Sequence, residues 1–500
     1  MRAFLQRRAA AGGLHGRDLF VGSTRRTTTT TIKRRVATKG DDADTLPPWP
    51  PGDAPLDADA ALLARSASLP VSFYSGAAAL ERDLSRVFAP GAWTYAGPAA
   101  WVAKPGDYFT LGGGDGGAAW PPPTVVVRSS ADAPPRAFFN VCRHRAAPVA
   151  AGPRGSCLTT DGRECVLTCG YHGWQYRATD GRLASAPRMG KVERLGAARI
   201  ALAPMATEVV GPLVFVRPGR AGDEAEGDGL DGWLGTEGAA AVRAVVRGDY
   251  DPTSPPQQQQ PSASTPSLVP VARREWRLAC DWKVFADNYL DGGYHVSVAH
   301  PKLAAGIDLE TYVSRLHGER VSVQSVRSRG AGDEKQPRLG ARSAYVWVYP
   351  NVAINRYGPW LDVNVVVPDA KRPGHCRVLF DWFLDASELS GEEAMALSSS
   401  PSPSFQEHLR RLPPRIADAL RDSCAVQEED VQLCESVQRG IEAAARFPDA
   451  FGSLHALLAS AGGGANEEEE QIGGGRYGKL ELPMFAYHRA LWADYKRKEK

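Results

Sequence analysis

Two short pairs constrain this chain more than anything else in it: Cys142-Arg-His144 and, downstream, Cys169-Gly-Tyr-His172. Thiolate and imidazole donors at such spacing form metal-ligand units, and two units can close one centre. Two kinds of centre suit the set. A tetrahedral zinc ion would take all four donors, whereas a two-iron, two-sulfur cluster gives both thiolates to one iron and both imidazoles to the other. Zinc fingers usually group Cys with Cys and His with His. Here each loop supplies one of each, an order that favours the cluster. In either case the fold must bring together loops separated by the 24 residues between His144 and Cys169.

A chain of 500 residues holds two to three domains, and a hydrophobic content of 43% is ordinary for a globular protein. The net charge of +2 gives no reason to expect a nucleic-acid or membrane partner. No uninterrupted apolar run reaches the ~18 residues of a membrane-crossing helix, so a soluble protein is expected. Eight cysteines are too sparse for a disulfide framework. Two of them already sit beside histidines, which points to a reducing or metal-using compartment.

Residues 1–40 read differently. They carry Arg and Lys throughout against one acid, Asp18, and a hydroxyl-rich run spans Ser23 to Thr31. Basic, hydroxyl-rich and acid-poor is the composition of an organelle transit peptide, with a disordered basic tail as the plainer alternative. A Pro- and Asp-rich linker follows, to residue 68. Residues 69–216 are expected to form an N-terminal helix (Ala77 to Phe88) and a small β domain, with strands at Thr124–Val127 and Ala137–Val141. Residues 217–272 read as a low-complexity insertion or linker, because Gly, Pro and Gln runs bury too little apolar area to order themselves. Gly112 to Pro123 and Gly462 to Gly475 read as further surface insertions. Residues 273–500 are expected to form an α+β domain. Its helices are expected at Trp276–Leu290 and Pro414–Ala445, with strands within Ser343–Val367 and Cys376–Leu384.

Asp287-Asn-Tyr-Leu-Asp291-Gly-Gly-Tyr-His295-Val-Ser-Val-Ala-His300-Pro301 carries a second metal signal. Histidines five apart lie roughly 140° apart on a regular helix, so one metal can take both only if the helix bulges or ends between them. Pro301 disfavours helical backbone at His300 and so places an end there. A histidine pair alone has the bland reading of two unrelated imidazoles. In the late helix, Val426, Asp430, Leu433, Val437 and Ile441 recur as an apolar stripe with one aspartate in it. A carboxylate on a buried face must be paired, protonated or metal-bound. His295, His300 and Asp430 thus make a two-histidine, one-carboxylate set of the kind that holds mononuclear Fe(II) in oxygenases. Glu428 and Glu429 fall off the stripe and read as solvated charges. Asp287 and Asp291, at four-residue steps before His295, can share a helix face with it and hold its second ring nitrogen.

These stretches resemble the Rieske non-haem iron oxygenases, and among them the plant choline monooxygenases. The likeness spans roughly Leu69 to Leu491 and includes Asn140-Val-Cys-Arg-His-Arg145, Tyr171-His-Gly-Trp174, Asp281-Trp-Lys-Val-Phe285, Asn355-Arg-Tyr-Gly-Pro-Trp360, Gly475-Arg-Tyr477 and Tyr487-His488. It implies an antiparallel Rieske domain before a helix-grip-like catalytic domain. It implies a [2Fe–2S] cluster on Cys142, His144, Cys169 and His172, fed by ferredoxin, and a mononuclear iron on His295, His300 and Asp430. It implies a homotrimer or other homo-oligomer, with one subunit's cluster set against the next subunit's iron across a bridging acid. Asp291 is the candidate bridge and Asp287 the reserve. Ferredoxin dependence favours the chloroplast stroma over the mitochondrial matrix. Choline and O2 are the implied substrates, with another trimethylammonium compound or an aromatic or pigment molecule as the alternative to choline. Because a quaternary ammonium donates no hydrogen bond, aromatic faces must hold it, and Tyr294, Tyr357, Trp360, Tyr289 and Trp347 are the candidates.

Two departures stand out. The 24-residue interval is longer than the family's, and its Cys157 and Cys165 read as part of a loop insertion. The candidate bridge lies four residues before His295, where many members have it three before. A cluster protein serving only as an electron carrier stays an alternative, but it has no use for the His295–His300–Asp430 set.

Overall fold

The structure is a computed structural model that describes residues 69, 71–89, 91–112, 120–159, 162, 164–189, 200–219, 229–254, 267–329, 340–397, 404–447 and 479–496. The basic leader, the linker, the 462–475 insertion and Gly475-Arg-Tyr477 lie outside the described residues, as do 113–119, 220–228 and 255–266.

The first half is antiparallel β structure. In chain order its strands are β1 (Thr94–Pro98), β2 (Asp107–Leu111), β3 (Thr124–Val127), β4 (Arg136–Phe139), β5 (Arg154–Ser156), β6 (Val166–Thr168), β7 (Gln175–Arg177), β8 (Leu183–Ser185), β9 (Pro204–Val210) and β10 (Leu213–Pro218). One sheet runs β1-β10-β9-β4-β3-β2-β5, and a three-stranded sheet runs β6-β7-β8. Thr124-Val-Val-Val127 is buried along its whole length, which suits its β-branched residues to the centre of the sheet. The chain leaves β4 into the Cys142 loop, and the β6–β7 turn carries Cys169 to His172.

The second half is one antiparallel sheet, β11 (Leu268–Leu278), β12 (Ile307–Leu316), β13 (Val321–Ser328), β14 (Arg342–Val348), β15 (Val352–Tyr357), β16 (Trp360–Pro368) and β17 (Cys376–Asp385). The strands β12 to β17 form a meander, and β11 closes on β17. Successive side chains alternate between faces. Gln324, Tyr345, Asn355, Asp362 and Trp382 stand opposite one another across β13 to β17 and so share one face. Val323, Val346, Ile354 and Val363 form the matching apolar row behind them.

Helices flank this sheet: α1 (Gly76–Arg82), α2 (Leu230–Arg247), α3 (Trp282–Leu290), α4 (Val296–Ala299), α5 (Pro301–Gly306), α6 (Pro414–Arg446) and α7 (Leu482–Lys496). The expected helix from Trp276 starts late. Trp276 to Leu278 finish β11, and α3 begins only after Asp281, whose carboxylate caps it by accepting from the Lys283 N–H. The late helix matches its expected span, entered at Pro414, where proline's fixed φ suits a first turn.

The span read as insertion or linker contains α2, whose Leu234, Val242 and Val245 are buried. Its Gly238 packs against Val321, on the apolar side of the sheet. The low-complexity segments on both sides of α2 concealed its apolar periodicity. Grouping the N-terminal helix with the first β domain also needs correction. Asp83, at the end of α1, meets Lys283, Trp282 and Tyr495, and Phe73 stacks near Trp492 and Tyr495, so this segment docks on the catalytic half. The two sheets are joined by Asp381, which takes both arms of Arg273 at 2.6 Å and the Tyr95 hydroxyl at 2.6 Å.

Candidate metal centres and their cavity

Two tight loops face each other at the edge of the first domain. Ala146 N–H donates to the Cys142 carbonyl and Gly173 N–H to that of Cys169, so each cysteine starts a compact turn. Both cysteines are buried, while His144 is half-buried and His172 exposed. The two imidazole centroids lie 4.5 Å apart, and His144 stacks on Trp174 at 4.7 Å. The four donors do not converge on one point: no three of them bring ligand atoms within 4.8 Å of one another. A single zinc ion needs all four in one small shell; the facing imidazoles suit one iron of a two-iron cluster, whose other iron the two buried cysteines would hold. Nδ1 of His144 is buried with no hydrogen-bond partner among the described residues, a lone pair suited to a metal. The Tyr176 hydroxyl accepts from Arg143 N–H at 3.0 Å, which leaves its own proton for the Cys142 sulfur at 3.2 Å.

The long interval between the loops forms β5, β6 and a Leu158–Cys165 bridge. Cys165 donates to the Ser129 carbonyl. Burial and the nearby Cys165 push the Cys157 thiol up to about 12, so it stays protonated. None of the eight cysteines is in a disulfide.

At the second centre, α3 ends at Leu290. Gly292 and Gly293 then take φ of +73° and +75° and swing the chain back. A Cβ on Gly292 would meet the Leu480 carbonyl at 2.0 Å, and one on Gly293 the Tyr312 ring at 2.6 Å, so both positions require glycine. His295 caps α4, and His300 leaves it with φ −123°. The helix break expected from Pro301 is therefore present, and it turns both rings to one point. Nε2 of His295 and Nε2 of His300 are 3.1 Å apart; Asp430 Oδ1 lies 3.0 Å from the second and 3.7 Å from the first. Bonds of about 2.1 Å at right angles would place neighbouring ligand atoms about 3 Å apart, so these atoms could form one face of a metal's coordination shell. Among the described residues this is the one such group.

Each histidine's other nitrogen is held by a carboxylate. His295 Nδ1 donates to Asp291 at 2.5 Å, and His300 Nδ1 to Glu429 at 2.7 Å. Asn288 donates to Asp430 Oδ1 at 2.8 Å. Burial alone would lower the His300 pKa, but Asp430 and Glu429 together push it up to about 9, the mark of a site built for positive charge. Three expectations change here. Glu429 is a partner of His300, not a solvated charge. The buried face of α6 is Ile416, Leu420, Cys424, Gln427, Cys434 and Gln438, and Val437 is 52% exposed. Asp430 thus sits at the rim of that face, where it meets the histidines. Asp291 stands past the end of α3 and reaches His295 by the chain reversal, while Asp287 binds Tyr74 at 2.7 Å and His488 at 2.8 Å.

A cavity of about 600 Å³ opens from the three-ligand set to the polar face of the sheet. Tyr289 and Tyr357 line it, as expected. Tyr294 does not: it is 72% exposed, because the glycine-driven reversal turns it outward. Trp360 and Trp347 lie buried outside the lining, with Trp347 packed behind Tyr289 at 5.4 Å. Phe285, Tyr312, Tyr345 and Phe380 supply the other rings. Sequence reasoning missed these, together with Asn288, Glu429 and the buried lining residue Asp362. Polar residues two apart in an apolar strand, Asp362 and Asn364, were the available signal.

The sequence pattern of the Rieske [2Fe-2S] domain matches residues 101–196, and that of the ring hydroxylating alpha subunit catalytic domain matches 266–491. The chain is 37% identical over 440 residues to a chloroplastic choline monooxygenase of Arabidopsis thaliana, covering 87% of this chain and 84% of that one. It is 32% identical over 373 residues to the chloroplastic choline monooxygenase of Spinacia oleracea, covering 75% and 71%. A solved quaternary ammonium Rieske monooxygenase, described in terms of carnitine oxidation by gut microbiota and inter-subunit electron transfer, shares the fold. Its TM-score is 0.59 at 20% identity, with 89% of this chain and 99% of that one covered. With two iron centres as its cofactors, the chain belongs to the Rieske non-haem iron oxygenases, the family that includes the plant choline monooxygenases.

Proposed function

We propose that this enzyme is a choline monooxygenase. Choline is hydroxylated at the carbon bearing its alcohol: one atom of O2 enters the product and the other leaves as water, with two electrons and two protons consumed. The hydrate then loses water to give betaine aldehyde. The single observation that carries this reading is the cavity, aromatic and acidic, set against the two-histidine, one-carboxylate group. Five acids line it (Asp291, Asp362, Asp422, Glu429, Asp430) against one lysine, Lys302, a balance suited to a cationic substrate. Similarity to the choline monooxygenases supports the same substrate.

In this reading Cys142, His144, Cys169 and His172 hold the cluster and His295, His300 and Asp430 hold the mononuclear iron. When bound, the cluster would supply electrons and the iron would supply the means of activating O2. The chain's own residues do the rest. Asp291 and Glu429 each hold an Nδ1 and so turn both Nε2 atoms toward one point. The lining rings give a quaternary ammonium faces to lie against. Gln427 Nε2 and Asn364 Nδ2 line the cavity and are buried, without partners among the described residues, and can donate to the substrate hydroxyl.

A reduced ferredoxin is the proposed donor and the chloroplast stroma the proposed location. The relatives are named chloroplastic, and no described helix is long and apolar enough to cross a membrane. A head-to-tail ring of subunits, with Asp291 as the bridging acid, is the proposed assembly. His172 lies at the exposed edge of the cluster loops beside Tyr171, 63% exposed, while Tyr294 and Val298, 72% and 86% exposed, flank the His295 loop. Apolar surface at both ends of the electron path suits a subunit contact. Turnover of choline to betaine aldehyde with reduced ferredoxin and O2 tests the function, and sedimentation tests the ring.

A further inference from the structure

We propose that Asp362 is the charge partner of the cationic end of the substrate and decides which end faces the metal. The inference rests on the reading of the substrate as a quaternary ammonium alcohol. Asp362 is 2% exposed and lines the cavity from β16. It lies opposite Asn355 in register, and Asn355 lies opposite Tyr345, so a carboxylate and a tyrosine ring share one row of the cavity floor. Of the five lining acids Asp362 is the one carried by the sheet: Asp291 and Glu429 hold histidine nitrogens, Asp430 is in the three-ligand group, and Asp422 lies on α6 and is exposed.

The floor and the metal site are close. Asn288 and Tyr289 are consecutive on α3; Asn288 donates to Asp430 at 2.8 Å, and the Tyr289 hydroxyl donates to Asn355 at 2.7 Å. Asp362 is the strand neighbour of that same Asn355. One dipeptide therefore links the three-ligand group to the floor of the same cavity. Choline does not fill a cavity of about 600 Å³, so shape alone leaves its two ends interchangeable. A carboxylate at the floor, kept ionised by the cation it binds, removes that freedom. The trimethylammonium group settles against Asp362 and the rings, and the carbinol carbon points to His295, His300 and Asp430. A buried carboxylate attracts a cation far more strongly than one in water.

The test compares choline with 3,3-dimethylbutan-1-ol, which has the same shape with carbon in place of the charged nitrogen. Binding to the iron-loaded enzyme is measured by calorimetry, and turnover alongside it. Wild type is expected to favour choline. Asp362→Asn should weaken choline binding about 30-fold while leaving the neutral alcohol unchanged, and Asp362→Glu should restore most of the preference. Equal losses for both ligands in Asp362→Asn, or no loss for either, would overturn the assignment. Failure of the underlying reading shows itself in the wild type instead: an enzyme that neither binds nor oxidises choline overturns both.

Discussion

Asp291 and His295 are joined twice: the carboxylate accepts from the His295 backbone N–H at 3.1 Å and from Nδ1 of its ring at 2.5 Å. The doubled contact fixes both where the histidine sits and which nitrogen it offers. Replacing Asp291 with Ala should lower iron affinity at this centre about 10- to 100-fold, while the visible spectrum of the cluster is unchanged. Iron titration followed by cluster absorbance checks this; loss of both signals would mean a folding defect instead. If Asp291 also carries electrons between subunits, Asp291→Asn with its iron fully restored will still turn over slowly.

Glu429 does for His300 what Asp291 does for His295, but from a more exposed position, with 42% of its side chain open to solvent. Water can replace part of what it supplies. Glu429→Gln should therefore cost about 10-fold in iron affinity, near the low end of such effects. The same titration reads it, and a loss as large as that of Asp430→Ala would contradict this ranking.

The Tyr176 proton aimed at the Cys142 sulfur stabilises negative charge there, and reduction of a cluster adds negative charge. Tyr176→Phe should lower the cluster's reduction potential by on the order of 100 mV, the one-electron equivalent of one hydrogen bond to a charged group. Redox titration followed by electron paramagnetic resonance measures it, and an unchanged or raised potential would refute the role.

Lys283 is fully buried and pairs with Asp83 and, at 2.8 Å, with Asp281, tying the N-terminal segment to α3. Burial alone would lower its pKa, but the two carboxylates outweigh that and raise it, so the ammonium is held charged. Lys283→Ala leaves two buried acids uncompensated and should destabilise the protein by about 3–5 kcal/mol. Denaturant unfolding measures the loss, and a change under 1 kcal/mol would show that water reaches the site.

The sequence makes the chemistry more legible than the packing around it. Cys142, His144, Cys169, His172, His295, His300 and Asp430 are readable as candidate donors because Cys, His and Asp at such spacings are rare. The break at His300 is readable from Pro301. Asp430 was found through a stripe that is not the buried one, since a helix rim and a helix face share much of the same periodicity. Tyr294 and Trp360 show the limit. Whether an aromatic residue reaches a cavity depends on a reversal at Gly292–Gly293 and on strand register, and neither can be read from residue type. Glu429 was legible only as a charge, because its partner lies 129 positions away in the chain.

The most direct test of the account is turnover by the purified protein, loaded with cluster and mononuclear iron and supplied with reduced ferredoxin, O2 and choline. The account predicts betaine aldehyde in proportion to O2 consumed, and its loss in Asp430→Ala with the cluster spectrum intact. A fully iron-loaded wild type that consumes electrons and O2 without forming betaine aldehyde would contradict it.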